Sequence, residues 1–261
     1  RGEGRLGGLL FEGREQAARM RTVRNVCAGP WADKSVGASR RLRAGDTQGA
    51  HHTLSRAAEV SLALTIPSAV ALMVVPLALV TVLFERGAAD VDDSAAIATA
   101  VTIYGLGLPA FVLQKILQPV YFAREDTKRP FYFALVAMVV NAALAIGLAP
   151  FVGWDPPALA TTLAGWAMFV CLALGARRFG DAAKFDARFH KRIWRIIAAS
   201  VVMGVVLMAT NVALQPFIGL PWWRGLALLA LLGAGAVSYF GVGQLIGAFK
   251  LSEFRSAVRR G

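Results

Sequence analysis

From about residue 58 onward the chain is a succession of long apolar runs, and no other feature limits its fold as strongly. Eighteen or more such residues are enough to cross a hydrocarbon core of roughly 30 Å as a helix. Inside lipid every backbone N–H and C=O needs an internal partner, so a single run of this kind has to be helical. Six spans are read, at about 60–84, 98–121, 131–151, 158–176, 193–214 and 225–249. The expected class is therefore an all-α integral membrane protein with six transmembrane helices. Composition agrees: 56% of the 261 residues are hydrophobic and 17% charged, where soluble domains carry about a quarter charged.

The segments between the runs set the orientation. One side collects Arg124, Lys128 and Arg129, then Arg177, Arg178, Lys184, Arg188, Lys191, Arg192 and Arg195, then the tail cations Lys250, Arg255, Arg259 and Arg260. The other side holds Arg86 and Arg224 with the acids Glu85, Asp90, Asp92, Asp93 and Asp155. Cations in short loops stay on the cytosolic side, so both ends of the chain are expected there. Trp154, Trp222 and Trp223 fall at the outer boundary and Trp194 at the inner one, as interface anchors. The net charge of +12 is spread over these loops rather than gathered in one soluble patch, so no nucleic-acid partner is expected.

Residues 1–38 form an irregular basic leader, rich in Gly, Arg and Ala, that cannot bury a core of its own. It reads either as a cytosolic arm or as a non-native stretch, and the Arg1 start implies that the true beginning is missing. No secretory signal pattern is visible. Cys27 and Cys171 imply no disulfide framework, and His51 and His52 read as a solvated pair, so no metal or other cofactor is expected.

Several polar residues inside the runs require an explanation. Lys115 lies about two turns from the inner end of the second span. An ionised group at mid-bilayer costs about 2.5–3.5 kcal/mol on insertion scales. Two accounts stay open: the side chain snorkels to the inner headgroups, or it faces a hydrated cavity and meets an anionic substrate. Gln114 and Gln118 flank it as a polar stripe. Pro67, Pro76, Pro109 and Pro119 each free a carbonyl four residues earlier, which neighbours or hydroxyls must satisfy. Asn141 and Asn211 read as helix–helix hydrogen-bonding amides. Gly243-x-x-x-Gly247 reads as a close-packing ridge. No nucleophile–base set, metal motif or phosphate loop appears, and the acids of "DVDD" (Asp90 to Asp93) read as a solvated loop, so no enzyme activity is expected.

The stretch "GLGLPAFVLQKILQPVYFAREDTKRP" (Gly105 to Pro130) resembles the MurJ/MviN family of lipid II flippases. There a membrane helix with an internal lysine runs into a cytosolic turn of the form R-x-D-T-x-x-P. "RRLRAGDTQGAHHTLSRAAEVSLALTIPSAVALMVV", with L-x-x-P-x-A-x-A-L at Leu64 to Leu72, is similar to the family's amphipathic linker and following helix. "VLFERGA" (Val82 to Ala88) and "FKLSEFRSAVRRG" resemble the end of that helix and the cytosolic tail. The resemblance covers roughly residues 40–261. It implies a linker at 39–58 and a six-helix membrane domain at 59–261 with a tail at 250–261. These six helices would be the C-terminal lobe portion plus the two extra helices of a fourteen-helix bundle of the MOP exporter superfamily.

The implied function is translocation of lipid II, an undecaprenyl-pyrophosphate-linked peptidoglycan precursor, across the bacterial cytoplasmic (inner) membrane by alternating access. The implied substrate contacts are Lys115, Gln118 and Arg124, with Glu125, Asp126 and Thr127 as the motif turn. Implied partners are lipid II, membrane lipids and the missing N-terminal lobe, and the last two spans would shape a groove for the lipid tail. The family's first-lobe cavity arginines match nothing in this sequence. Another exporter of the superfamily, acting on drugs or polyprenyl-linked sugars, a membrane glycosyltransferase using the "DVDD" acids, and an inactive truncated product stay open as alternatives.

Overall fold

The computed structural model describes residues 47–84, 91–152, 156–179, 187–218 and 223–247. These form α1 (Thr47–Val74), α2 (Pro76–Phe84), α3 (Val91–Ala123), α4 (Lys128–Val152), α5 (Pro156–Ala176), α6 (Ala187–Ile218) and α7 (Arg224–Leu245). Six helical segments are long and apolar enough to cross a bilayer, from His52–Val74 in α1 to Arg224–Leu245 in α7. The leader, the tail from Ala248, Cys27, Glu85 to Asp90, Trp154, Asp155, Lys184 and Trp222 lie outside the described residues.

Helices run past the apolar runs because their ends are amphipathic rather than uniformly greasy. Residues 47–58, the last part of the stretch read as a linker, are the opening turns of α1. At the start of α6, Phe189 is buried while Arg188, His190 and Lys191 stay exposed. Pro76 separates α1 from α2: it has no N–H to give, although Val75 N–H still bonds Ala71 O and Leu79 N–H bonds Val75 O on either side. Pro67, Pro109 and Pro119 sit inside unbroken helices.

The principal helix contacts follow the order α4, α5, α3, α1, α6, α7, with α2 lying against α3 and touching α6 and α7. Leu54, Ala58 and Leu62 of α1 pack with Leu113, Ile116 and Val120 of α3 and Phe189 of α6. Further along, Gly105 of α3 meets Ala69 and Leu72 of α1. Rising numbers on α1 thus face falling numbers on α3, so the two are antiparallel. Thr162 to Ile103, Trp166 to Leu106 and Tyr121 to Leu172 pair rising with rising numbers, so α3 and α5 are parallel. The start of α1, the turn after α3, the end of α5, the start of α6 and the end of α7 consequently share one end of the molecule.

That end carries Arg56, Arg124, Lys128, Arg129, Arg177, Arg178, Arg188, Lys191, Arg192 and Arg195. Among the described residues the opposite end has Arg224, with Asp92 and Asp93 in the opening turn of α3. Trp194 is exposed near the cationic end and Trp223 near the other.

Of the two glycines expected to form a ridge on α7, Gly243 is buried. Gly247 lies beyond the helix with a positive φ of 68°, a left-handed conformation that suits glycine at a helix stop. A close contact on α7 is made by Gly235, where an added Cβ would stand 2.8 Å from Leu207 Cδ2 of α6.

Candidate functional site

The central helix α3 positions most of the polar residues singled out above. Helical spacing gives it three kinds of face. Leu113, Ile116 and Val120 go to α1, while Leu117 and Tyr121 go to α5. Ile97, Tyr104, Lys115 and Phe122, offset by 7, 11 and 7, fall on one remaining stripe, and all four are exposed.

Among the described residues Lys115 is therefore a cation on an otherwise apolar, exposed stripe, with Gln118 half-buried one turn on. Gln114 does not extend this stripe. Its Nε2 donates 2.6 Å to Gly165 O of α5 and the side chain is buried. That bond needs close helix approach, and at Gly165 a Cβ would meet Phe111 at 2.8 Å.

Arg124 and the charged turn occupy a different place. Lys115 and Arg124 are nine residues apart, about 13 Å along a helix and two and a half turns around it, so they do not converge. Asp126 N–H bonds Tyr121 O at 3.1 Å and Glu125 N–H bonds Phe122 O at 3.2 Å. This pair of bonds, with Glu125 at φ 60°, is a Schellman helix stop. Asp126 then caps α4, accepting from Arg129 N–H at 3.3 Å and pairing with Arg129 Nε at 3.3 Å. Thr127 is exposed. The motif turn is thus a backbone-built connector between α3 and α4.

Arg124 closes it against the turn that follows α5. Its guanidinium lies 4.7 Å over the Phe179 ring, with Nη2 3.5 Å from Phe179 O. Behind it Tyr121 donates to Leu172 O and meets Phe133 and Phe179 edge to face. The structure brings Arg124, Asp126, Arg129 and Phe179 to one corner and leaves Lys115 and Gln118 on the open stripe.

Two charged residues escaped the sequence reading. Glu59 of α1 and Arg192 of α6 form an ion pair of 2.8 Å, with side chains 6% and 14% exposed. Glu59 falls one residue before the first span at about 60–84, and Arg192 reads as a loop cation. An acid at the very edge of an apolar run was the signal available. Among the described residues no group of three or more His, Cys, Asp or Glu side chains could hold a metal ion. The arrangement offers cations for binding an anionic group.

Comparison with known proteins gives a consistent result. The family described as "Lipid II flippase MurJ" matches residues 38–232. A protein of Rhizobium tropici named "Probable lipid II flippase MurJ" is 36% identical over 226 residues, covering 85% of this chain and 42% of the relative. A Vibrio cholerae protein of the same name is 29% identical over 221 residues, covering 81% and 40%. A solved structure titled "Lipid II flippase MurJ, inward closed conformation" aligns with a TM-score of 0.64 at 23% identity, over 81% of this chain and 42% of that one. The chain spans about two fifths of the length of the curated relatives it matches.

Proposed function

Because this chain belongs to the lipid II flippase MurJ family, we propose that it supplies the C-terminal helices of a flippase that moves lipid II to the outer leaflet of the inner membrane. The chain is a multi-pass membrane protein of a transporter family, with six apolar spans. The polar head of the substrate would pass a hydrated interior by alternating access while its polyprenyl tail stays in lipid. A helical lobe contributed by the rest of the protein would close the cavity.

The observation that carries this reading is Lys115, exposed on the central helix of a membrane-spanning row. A cation kept there is costly unless water or an anion meets it, and a pyrophosphate supplies two negative groups. Gln118 adds a hydrogen-bonding group one turn away. Arg124, held over Phe179, would contact the headgroup at the entrance, and Glu125, Asp126 and Thr127 shape that entrance. The segregation of cations to one end supports a cytosolic position for that end, with both chain ends on the same side.

The test is a hybrid in which this chain replaces the matching C-terminal part of the Rhizobium tropici relative, expressed in cells depleted of their own lipid II flippase. The expected result is restored growth and restored appearance of lipid II in the outer leaflet. A hybrid present in the membrane at the level of the intact relative, yet giving neither, would overturn the reading.

A further inference from the structure

Helices in a bilayer gain little from the hydrophobic effect when they associate, since lipid tails are as apolar as their partners. What keeps the last two helices on the rest of this chain is therefore a real question. α6 and α7 pack on each other through Leu207 and Gly235, and the pair meets the other helices chiefly along α1.

Two polar contacts cross that seam one helical turn apart on α1. Arg192 of α6 donates to Glu59 at 2.8 Å, and both side chains are largely buried. Tyr239 of α7 is buried and donates its hydroxyl to the carbonyl of Ala63. Ala63 is the residue four before Pro67, and Pro67 has no N–H to offer that carbonyl. The proline leaves an acceptor on the α1 surface, and Tyr239 fills it.

We propose that Glu59 and the Pro67-freed carbonyl of Ala63 form a two-point clasp that docks the α6–α7 hairpin on α1. Each half is self-selecting. Undocked, Glu59 would lose the Arg192 guanidinium beside an apolar surface, and the Ala63 carbonyl would be unsatisfied in an apolar surrounding. Pro67 therefore acts as a receptor for another helix; α1 runs through it unbroken. The inference concerns how the chain is held together and stands whether or not lipid II is the substrate.

Disulfide capture in native membranes, on the intact protein with Cys27 and Cys171 replaced, tests it. A Cβ at Gly204 would lie 2.9 Å from Val70 Cγ1 across the α1–α6 seam, so Val70→Cys with Gly204→Cys reports docking. Leu207→Cys with Gly235→Cys reports the α6–α7 contact itself. Glu59→Gln or Arg192→Gln should lower the first cross-link by roughly threefold or more, the scale of a coupled pair, and leave the second unchanged. The exchange Glu59→Arg with Arg192→Glu should restore it. Tyr239→Phe should lower the first cross-link beside Pro67 and have little effect beside Pro67→Ala, where the new N–H takes the Ala63 carbonyl. The proposal is overturned by an unchanged first cross-link in the neutralised variants, by parallel loss of both cross-links, by an exchange that fails to restore, or by an equal Tyr239→Phe effect in both backgrounds.

Discussion

α1 and α4 are both apolar enough to span a bilayer, with mean hydropathy of 1.8 and 2.2 over their best windows, yet 39% of the first window is buried and 6% of the second. The less apolar helix is the better packed. α1 buries Leu54, Ala57, Ala58, Leu62, Ala63 and Ala69 between α3 and α6, and small side chains are what let membrane helices approach. α4 presents Phe131, Tyr132, Met138, Val139 and Ile146 outward and packs chiefly on α5. Hydropathy reports the solvent a helix is suited to; side-chain size and polar contacts decide which helix becomes the post.

Exposure itself comes in two kinds on this account, and Lys115 separates them. If its stripe were lipid-facing like that of α4, Lys115→Ala would be silent. We expect that substitution, in the full-length protein, to impair rescue of flippase-depleted cells by about tenfold or more, the loss expected of a charged contact to substrate, with membrane insertion intact. Growth rate and a membrane-fraction blot check it.

Packing gives the next largest effect. Ala58→Phe, at a site with no exposed surface, should cost roughly 1–3 kcal/mol or more by overpacking. Thermal unfolding in detergent, with the same protein carrying Val139→Phe on α4 as control, measures the difference. Equal midpoints would dissolve the distinction between post and outer helix.

Smaller still is Tyr121→Phe. Loss of the hydroxyl donated to Leu172 O should cost about 1 kcal/mol, the net value of a typical hydrogen bond, read as a lower midpoint. Glu125→Gly should act in the opposite direction. Relieving a left-handed glutamate should stabilise by about 1 kcal/mol, read as a raised midpoint with rescue preserved.

Much of this was legible in the residues themselves. Apolar runs gave the six spans because the bilayer leaves the backbone only one local solution, and cation segregation gave the common end. The reading stopped where a residue's meaning depends on another helix. Gln114 and Lys115 are neighbours in sequence, but Gly165 draws one away from the open stripe. Pro67 announced an unsatisfied carbonyl without saying that Tyr239, 172 places from it, would supply the donor. Gly233 and Gly235 look alike in the sequence, and the position of Leu207 decides which of them is the contact.

The turn after α3 has a consequence for synthesis. Its bonds join Tyr121 and Phe122 to Arg124, Glu125 and Asp126, and Asp126 to Arg129, all within nine consecutive residues. The bend between these two helices can close as soon as that short piece of nascent chain leaves the ribosome's exit path, before Phe179, which lies 55 residues beyond Arg124 and later covers it, has emerged.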